Sequence, residues 1–200
     1  MNKHAPQINA SLRTGLGADS GEMCFPPIKL NGRDFRGDLD IRIDAHGQWH
    51  YNQSLIERKA MVCLFASMLM LDAQGRHWLV TPTELGRIEV EDAPFIAVGM
   101  FVSGKGRNQI ISFCTNIDDL LSVGPGAPLT LSKNPATGEL TPYVIDERSL
   151  RVKINPEIHH DLVNLGVSNR QNGIDMFGVW SSGLFFPLFF PLGQTPKLQA

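Results

Sequence analysis

The stretch SLIERKAMVCLFASMLML, residues Ser54–Leu71, is the clearest element of the sequence, and the predicted fold is built around it. Ser54 and Glu57 have the spacing of a capping box, in which the serine hydroxyl accepts from the first helical N–H groups and the glutamate reaches back. From Ala60 to Leu71 nearly every residue is apolar, so the predicted helix has no polar face. A helix that is apolar all round must be covered on most sides. The sequence therefore predicts that Ser54–Leu71 is the most buried helix.

Alternating segments on both sides of this helix predict short antiparallel strands. DIRIDAHGQWHY, residues Asp40–Tyr51, has the alternation and the central turn of a β-hairpin. After the helix, two strands are predicted at His77–Thr81 and Gly86–Glu91. A hairpin is predicted from Phe95–Ser103 and Gln109–Thr115, around a glycine-containing loop.

A second helix has clear start and stop signals. Asn155 is a good N-cap, Pro156 suits the first helical position, and Gly166 suits the stop. The order strand, capped helix, strand, strand thus occurs twice, about a hundred residues apart. It predicts an α+β fold with two small lobes from a duplicated β-α-β-β pattern of antiparallel strands, divided near Pro94.

The domain organisation follows from these elements. Residues 1–24 are polar and rich in small residues, which predicts a disordered N-terminal tail with no secretory signal. Residues 25–93 form the predicted N-terminal lobe, residues 94–193 the C-terminal lobe, and residues 194–200 a short tail. The apolar stretch LFFPLFFPL, Leu184–Leu192, is too short to span a bilayer and predicts a buried strand. A partner-binding patch is the alternative interpretation.

Composition argues against several classes of partner. The net charge is −2 and both signs are interspersed, so nothing favours binding to nucleic acid or to a membrane surface. Three cysteines, Cys24, Cys63 and Cys114, lack metal-ligand spacing. Cys63 and Cys114 lie in apolar runs, which predicts buried side chains in a reducing, cytoplasmic compartment, with a catalytic thiol as the alternative. We expect no cofactor and no transition metal.

Candidate binding residues lie at a helix start and at strand ends, where sites are usually built. Arg58 offers a planar donor fork to a carboxylate or phosphate, or else forms a structural ion pair with Glu84, Glu91 or Asp92. Glu89 and Glu91 share one face of a strand, and a solvated or arginine-paired face is favoured over acid/base work or the binding of a cation.

The histidines and glycines give no recognisable catalytic motif. His46 and His50 are separated by a turn, and His159 and His160 diverge on a helix. HExxH and GxSxG are missing, and Gly104-x-Gly106 is not followed by a predicted helix.

Five segments carry a family resemblance. They are DAHGQWHYNQSLIERKAMVCLFASML, GRHWLVTPTELGRIEVEDAPFIAV, ISFCTN, PYVIDERSLRVKI and GVWSSGLFFPL. In this order and spacing they resemble the bacterial family called domain of unknown function 1285, over about Cys24 to Leu192. TPTE followed by EVEDAPF is the most specific part.

The resemblance implies a core with an internal duplication, a C-terminal part similar to pleckstrin-homology-like folds, and no established activity. It also implies a nucleotide-like ligand between the lobes and a signalling role. The matching positions are Arg58, Thr81, Pro82, Glu84, Glu91, Asp92, Pro94, Phe95, Thr115 and Asn116. Asn155 stands where members commonly have arginine, and His159 and His160 where they often have aromatic residues. These departures argue against a ligand role for the second helix.

Three hypotheses for function follow. The favoured one is a non-enzymatic module that senses a small anionic or nucleotide-like ligand between the lobes. The ligand-binding residues predicted for it are Arg58, Thr81, Glu84, Glu91, Asp92 and Asn116. The alternatives are a hydrolase of a phosphorylated small molecule, using Glu91 or Asp92 with Arg58, and a protein-interaction scaffold using the phenylalanine-rich C-terminal strand.

Overall fold

The computed structural model describes residues 32–133, 139–171 and 173–189. Within these ranges 54% of the residues are in strands and 14% in helices. The strands form three sheets. The predicted α+β fold with a duplicated β-α-β-β pattern is therefore wrong.

The first sheet has six strands in the spatial order β3-β2-β1-β6-β5-β4. The strands are β1 (Asp34–Ile43), β2 (Trp49–Tyr51), β3 (Ser54–Leu55), β4 (Leu69–Leu71), β5 (His77–Val80) and β6 (Glu84–Val90). β1 and β6 run parallel at its centre, and all other neighbours are antiparallel. The hairpin predicted over Asp40–Tyr51 is confirmed by the pairing of β1 with β2.

The second sheet repeats this arrangement with the order β9-β8-β7-β12-β11-β10. Its strands are β7 (Phe95–Ser103), β8 (Ile110–Thr115), β9 (Leu120–Ser122), β10 (Leu129–Lys133), β11 (Leu140–Ile145) and β12 (Arg151–Ile154). β7 and β12 form the parallel central pair. The repeated unit is thus a six-stranded sheet made of two three-stranded meanders. The predicted β-α-β-β pattern did not identify this unit. The unit is defined by the parallel pairing of its first and last strands, which are far apart in the sequence.

The apolar stretch Ser54–Leu71 divides between two strands and a helix. Ser54 pairs with Tyr51 in the first sheet, the helix α1 spans Lys59–Ser67, and Leu69–Leu71 pair with β5. The N-cap of α1 is Arg58, without a side-chain capping bond, so the predicted capping box is wrong. An apolar run without a clear period can be buried as a helix or as a strand. Here the two ends of the run form the strands β3 and β4 of the first sheet.

Burial along α1 also differs from the prediction. Ala66 is its one fully buried residue, and Leu64 is 57% exposed. α1 is therefore a cover on one side of the core and not its centre.

The second helix and a third sheet complete the chain. The helix α2 spans Pro156–Asn164, and the Asn155 side chain accepts from the Glu157 N–H at 3.1 Å, which confirms the predicted helix start. The third sheet contains β13 (Val167–Gln171), β14 (Ile174–Ser181) and β15 (Leu184–Phe189) in that order. In β15 Phe186 and Leu188 are buried but Leu184 and Phe189 are exposed, so the burial predicted for the C-terminal strand is confirmed only in part; residues 190–192 lie outside the described ranges.

One apolar core joins the three sheets. Trp49 and Leu69 enter it from the first sheet, Phe95 and Phe113 from the second, and Leu188 from the third. The two six-stranded sheets are therefore coupled by shared burial, which is the dominant stabilising term in folding.

Several sequence predictions concern the chain ends, the cysteines and the membrane. Cys24 and the predicted tails, residues 1–24 and 194–200, lie outside the described ranges. Cys63 and Cys114 are free thiols and are half-buried, less than predicted. None of the helices in the described ranges is long and apolar enough to cross a membrane.

Candidate functional site

The six predicted ligand-binding residues do not lie together: four are at the two ends of β6 in the first sheet, Arg58 is at the start of α1, and Asn116 follows β8 of the second sheet. Thr81 and Glu84 lie at the turn from β5 to β6, whereas Glu91 and Asp92 follow the other end of β6. Seven residues of strand separate these ends by about 20 Å, at roughly 3.3 Å per residue. The six residues therefore do not line one shared cavity within the described part of the chain.

At the first end, Thr81 and Glu84 hold a tight turn. The Thr81 hydroxyl accepts from the Glu84 N–H at 2.8 Å and donates to the Glu84 carbonyl oxygen at 3.0 Å. The Glu84 carboxylate pairs with Arg36. Both turn residues line a mainly apolar pocket of about 140 Å³, which is smaller than the usual range for a small-molecule site.

At the second end, Glu91 and Asn116 position the turn between β1 and β2. Glu91 pairs with Arg42 and accepts from the Ala45 N–H at 2.9 Å. Asn116 donates to the Gly47 carbonyl oxygen at 3.1 Å. Both side chains therefore have structural partners already.

Arg58 is exposed at the start of α1 and has no side-chain hydrogen bond or ion pair within the described ranges. The predicted internal pairing with Glu84, Glu91 or Asp92 is therefore not formed, and the donor fork of Arg58 faces solvent. Its neighbour Lys59 donates to the carboxylate of Asp118, in the turn between β8 and β9, at 2.6 Å.

Asp92 belongs to a polar cluster at the boundary between the two six-stranded sheets. Its carboxylate accepts from the Tyr143 hydroxyl at 2.8 Å and pairs with the Lys153 ammonium at 2.7 Å. The Arg151 guanidinium lies 3.8 Å from the centre of the Tyr143 ring. Burial opposes ionisation of Asp92, but the bonds from Lys153 and Tyr143 outweigh it and lower the pKa of Asp92. Burial and the bond to Asp92 raise the pKa of Tyr143 to about 12.

Sequence reasoning missed Tyr143, Arg151 and Lys153. The strict alternation of Leu150–Ile154 places Arg151 and Lys153 on one face of a strand, and that signal was present. Their proximity to Asp92 was not visible, because Asp92 is about sixty residues earlier in the chain.

A cavity of about 670 Å³ is lined by residues of β1 and β6 together with His50 of β2 and the turn that follows it, and β1 has a bulge along this stretch. Between the pairs Asp38–Arg87 and Arg42–Glu89, β1 advances four residues while β6 advances two. The excess residues of β1 are not paired one-to-one with β6, and one of them, Leu39, packs against Gly86 of β6. The polar side chains of the lining include Asp38, Asp40, Arg42, His50, Arg87 and Glu89.

Most charges around this cavity are paired, and two are not. Arg87 binds both carboxylate oxygens of Asp38, and Arg42 pairs with Glu91 outside the cavity. Asp40 and Glu89 are exposed, and neither has a side-chain hydrogen bond or ion pair within the described ranges. Two carboxylates are thus available to accept from a ligand.

His50 is the titratable group of the cavity with a fixed orientation. Its Nε2 lies 3.0 Å from the Asp44 carboxylate, and both side chains are about 15% exposed. Asp44 also accepts from the His46 and Gln48 N–H groups, each at 2.9 Å. Burial opposes ionisation of Asp44, but these bonds and the one from His50 lower its pKa.

Within the described ranges, no group of three or more His, Cys, Asp or Glu side chains is arranged to hold a metal ion.

The chain matches two family models that together cover most of its length. The N-terminal domain of DUF1285, a domain of unknown function, matches residues 26–93, and the C-terminal domain of DUF1285, a protein of unknown function, matches residues 94–188. A comparison with curated proteins finds no match.

Two solved structures are similar to this chain. A DUF1285 family protein from Silicibacter pomeroyi DSS-3 is 40% identical, with a TM-score of 0.73, over 85% of this chain and 90% of that chain. A DUF1285 family protein from Shewanella baltica OS155 is 25% identical, with a TM-score of 0.51, over 63% of this chain and 91% of that chain. These matches confirm the resemblance seen in the sequence, and the chain belongs to the DUF1285 family.

Proposed function

We propose that this protein is a non-enzymatic module that binds a small polar ligand in the cavity between β1 and β6. The observation that carries the proposal is a cavity of about 670 Å³ with two uncommitted carboxylates, Asp40 and Glu89. Its volume lies in the range typical of small-molecule sites, roughly 300–1,000 Å³.

The lining favours a ligand with both donor groups and an anionic group. Amine or hydroxyl donors would bind Asp40 and Glu89, and a phosphate would bind Arg42 or Arg87 in competition with Glu91 or Asp38, the carboxylates that pair with these arginines. A nucleotide-like ligand has both kinds of group, in line with the family resemblance. All six positions predicted from the sequence lie outside this lining, and ligand contacts from them stay a prediction: Arg58, Thr81, Glu84, Glu91, Asp92 and Asn116. A cytoplasmic location and a signalling role are also part of the proposal.

A hydrolase is the second candidate, and the pairing of His50 with Asp44 favours it. An imidazole held by a carboxylate at the edge of a cavity is a common arrangement for a general base. Glu91 and Asp92, the carboxylates first considered for that role, are engaged by Arg42 and Lys153.

Calorimetric titration with a panel of nucleotides and phosphoesters, followed by a search for products, tests both candidates. Asp40→Asn and Glu89→Gln are each expected to weaken binding about tenfold, because each loses a charge-assisted bond. Asp161→Asn and Glu147→Gln remove exposed carboxylates elsewhere and serve as matched controls. Turnover that is lost in His50→Gln would favour the hydrolase. Binding that is unchanged in both cavity variants would contradict the proposed site.

A further inference from the structure

We propose that Arg151 and Lys153, beside Tyr143, form a second binding site, which takes the phosphate group of a soluble small molecule. The site lies at the boundary of the two six-stranded sheets. Its residues do not line the cavity between β1 and β6, so the inference stands independently of the function proposed for that cavity.

Strand pairing places the three side chains on one face of the second sheet. Tyr143 of β11 is directly opposite Lys153 of β12, and Arg151 is two residues before Lys153 on the same strand. Residues two apart on a strand project to the same side. The Arg151 guanidinium packs over the Tyr143 ring at 3.8 Å, which restricts the guanidinium to one plane.

The charges of this face do not balance. Lys153 and Arg151 are two cations, and Asp92 is the carboxylate that contacts the group, so the net charge of the three is +1. The two Asp92 oxygens are taken by Tyr143 and Lys153. Arg151 makes no hydrogen bond or ion pair with a carboxylate in the described part of the chain, so its N–H edges are uncommitted.

The neighbouring titratable groups do not neutralise this net positive charge at neutral pH. His77 interacts electrostatically with Arg151, and burial is the main reason why its pKa is lowered to about 4, so it is neutral at pH 7. Asp72, which interacts with His77, already binds Arg76 and the Trp78 indole N–H. Neither group supplies a counter-ion to Arg151.

A phosphate monoester would supply the negative charge and the acceptor oxygens that Arg151 and Lys153 can bind. Its oxygens can accept two parallel bonds from the guanidinium edge and a further bond from the Lys153 ammonium. Stacking on Tyr143 holds the guanidinium before binding, which reduces the ordering cost of association.

The test is a titration of ¹⁵N-labelled protein at pH 7 with inorganic phosphate and with glucose 6-phosphate, at constant ionic strength maintained with sodium chloride. Wild-type protein is expected to show saturable shifts of the Arg151 Nε–H and of the backbone around residues 143 and 153. Arg151→Gln should weaken binding about tenfold. Arg170→Gln is the matched control, because Arg170 is exposed and lies on the third sheet.

Arg151→Lys keeps the positive charge but removes the planar fork, and it should bind several-fold more weakly than wild type. Thermal unfolding of each variant shows whether the fold is retained, and the wild-type titration stands even if Arg151→Gln fails to fold. Shifts that do not saturate, or that sodium chloride alone reproduces, would overturn the proposal. So would binding confined to vesicles of phosphatidic acid with none to glucose 6-phosphate.

Discussion

The side-chain amide of Asn116 donates to the carbonyl oxygen of Gly47 at 3.1 Å, across the boundary between the two six-stranded sheets. The same side chain accepts from the backbone N–H of Ile96 at 3.1 Å. One side chain thus fixes the turn between β1 and β2 against the first strand of the second sheet. The Glu91 carboxylate holds the other side of this turn through the Ala45 N–H.

Gly47→Ala is expected to destabilise the protein by about 2–4 kcal/mol in urea unfolding. Gly47 has a φ of +72°, and an added Cβ would lie 2.6 Å from Ile96 Cγ1. Gly75→Ala is the matched control, because Gly75 has a φ of +75° with nothing within 4 Å of an added Cβ. Gly75→Ala therefore measures only the cost of placing alanine at a positive φ, about 1–2 kcal/mol. Equal costs at both positions would show that the contact with Ile96 is not tight.

Asn116→Ala should cost about 1–3 kcal/mol, because the Ile96 N–H and the Gly47 carbonyl lose their partner in a half-buried position. Asn164→Ala, at the exposed end of α2, is expected to change stability by less than about 0.5 kcal/mol. Chemical denaturation of both variants measures the difference. An unchanged free energy of unfolding in Asn116→Ala would mean that water satisfies the Ile96 N–H and the Gly47 carbonyl as well as the amide does.

Leu69→Ala should destabilise the protein by about 2–5 kcal/mol, whereas Leu64→Ala should cost less than about 1 kcal/mol. Leu69 is 1% exposed in β4, and Leu64 is 57% exposed on α1. The two residues have the same side chain and lie five positions apart, so each is the control for the other. Reversed costs in urea unfolding would restore α1 as the centre of the core.

Stability should fall with acidification between about pH 6.5 and pH 4, and His77 should account for part of that slope. Burial lowers the pKa of folded His77 to about 4, from an ordinary value of 6.5. Protons therefore bind the unfolded state more strongly in this window, so the free energy of unfolding decreases as the pH falls. The contribution of the half-buried His77 is on the order of 3 kcal/mol at pH 4.

His77→Gln should flatten this part of the pH profile, measured by urea unfolding at a series of pH values. His160→Gln changes an exposed histidine on α2 and should leave the slope as in wild type. The lowered pKa values of Asp44, Asp72 and Asp92 act in a separate window, below about pH 4. A slope that persists unchanged in His77→Gln would show that His77 is charged in the folded protein.

The sequence by itself determined those features that depend on short-range chemistry. Asn155 and Pro156 specify the start of α2, because a side-chain acceptor and a fixed φ act within one helical turn. Alternation around a turn specifies the hairpin of β1 with β2, and a glycine-containing loop between two strand-like runs indicates the hairpin of β7 with β8. Family membership was also visible, because TPTE and EVEDAPF are continuous motifs.

Only the tertiary structure decided the secondary structure of Ser54–Leu71, the parallel pairing of strands and the positions of the candidate sites. An all-apolar run is compatible with both helix and strand. Leu69–Leu71 form a strand because they pair with the free edge of β5. The cavity depends on the register of β1 against β6, and the polar cluster on Asp92 meeting Tyr143. Both are contacts between residues about fifty positions apart. Such contacts are selected by burial and pairing of the whole chain, and no local pattern encodes which distant strand a residue will face.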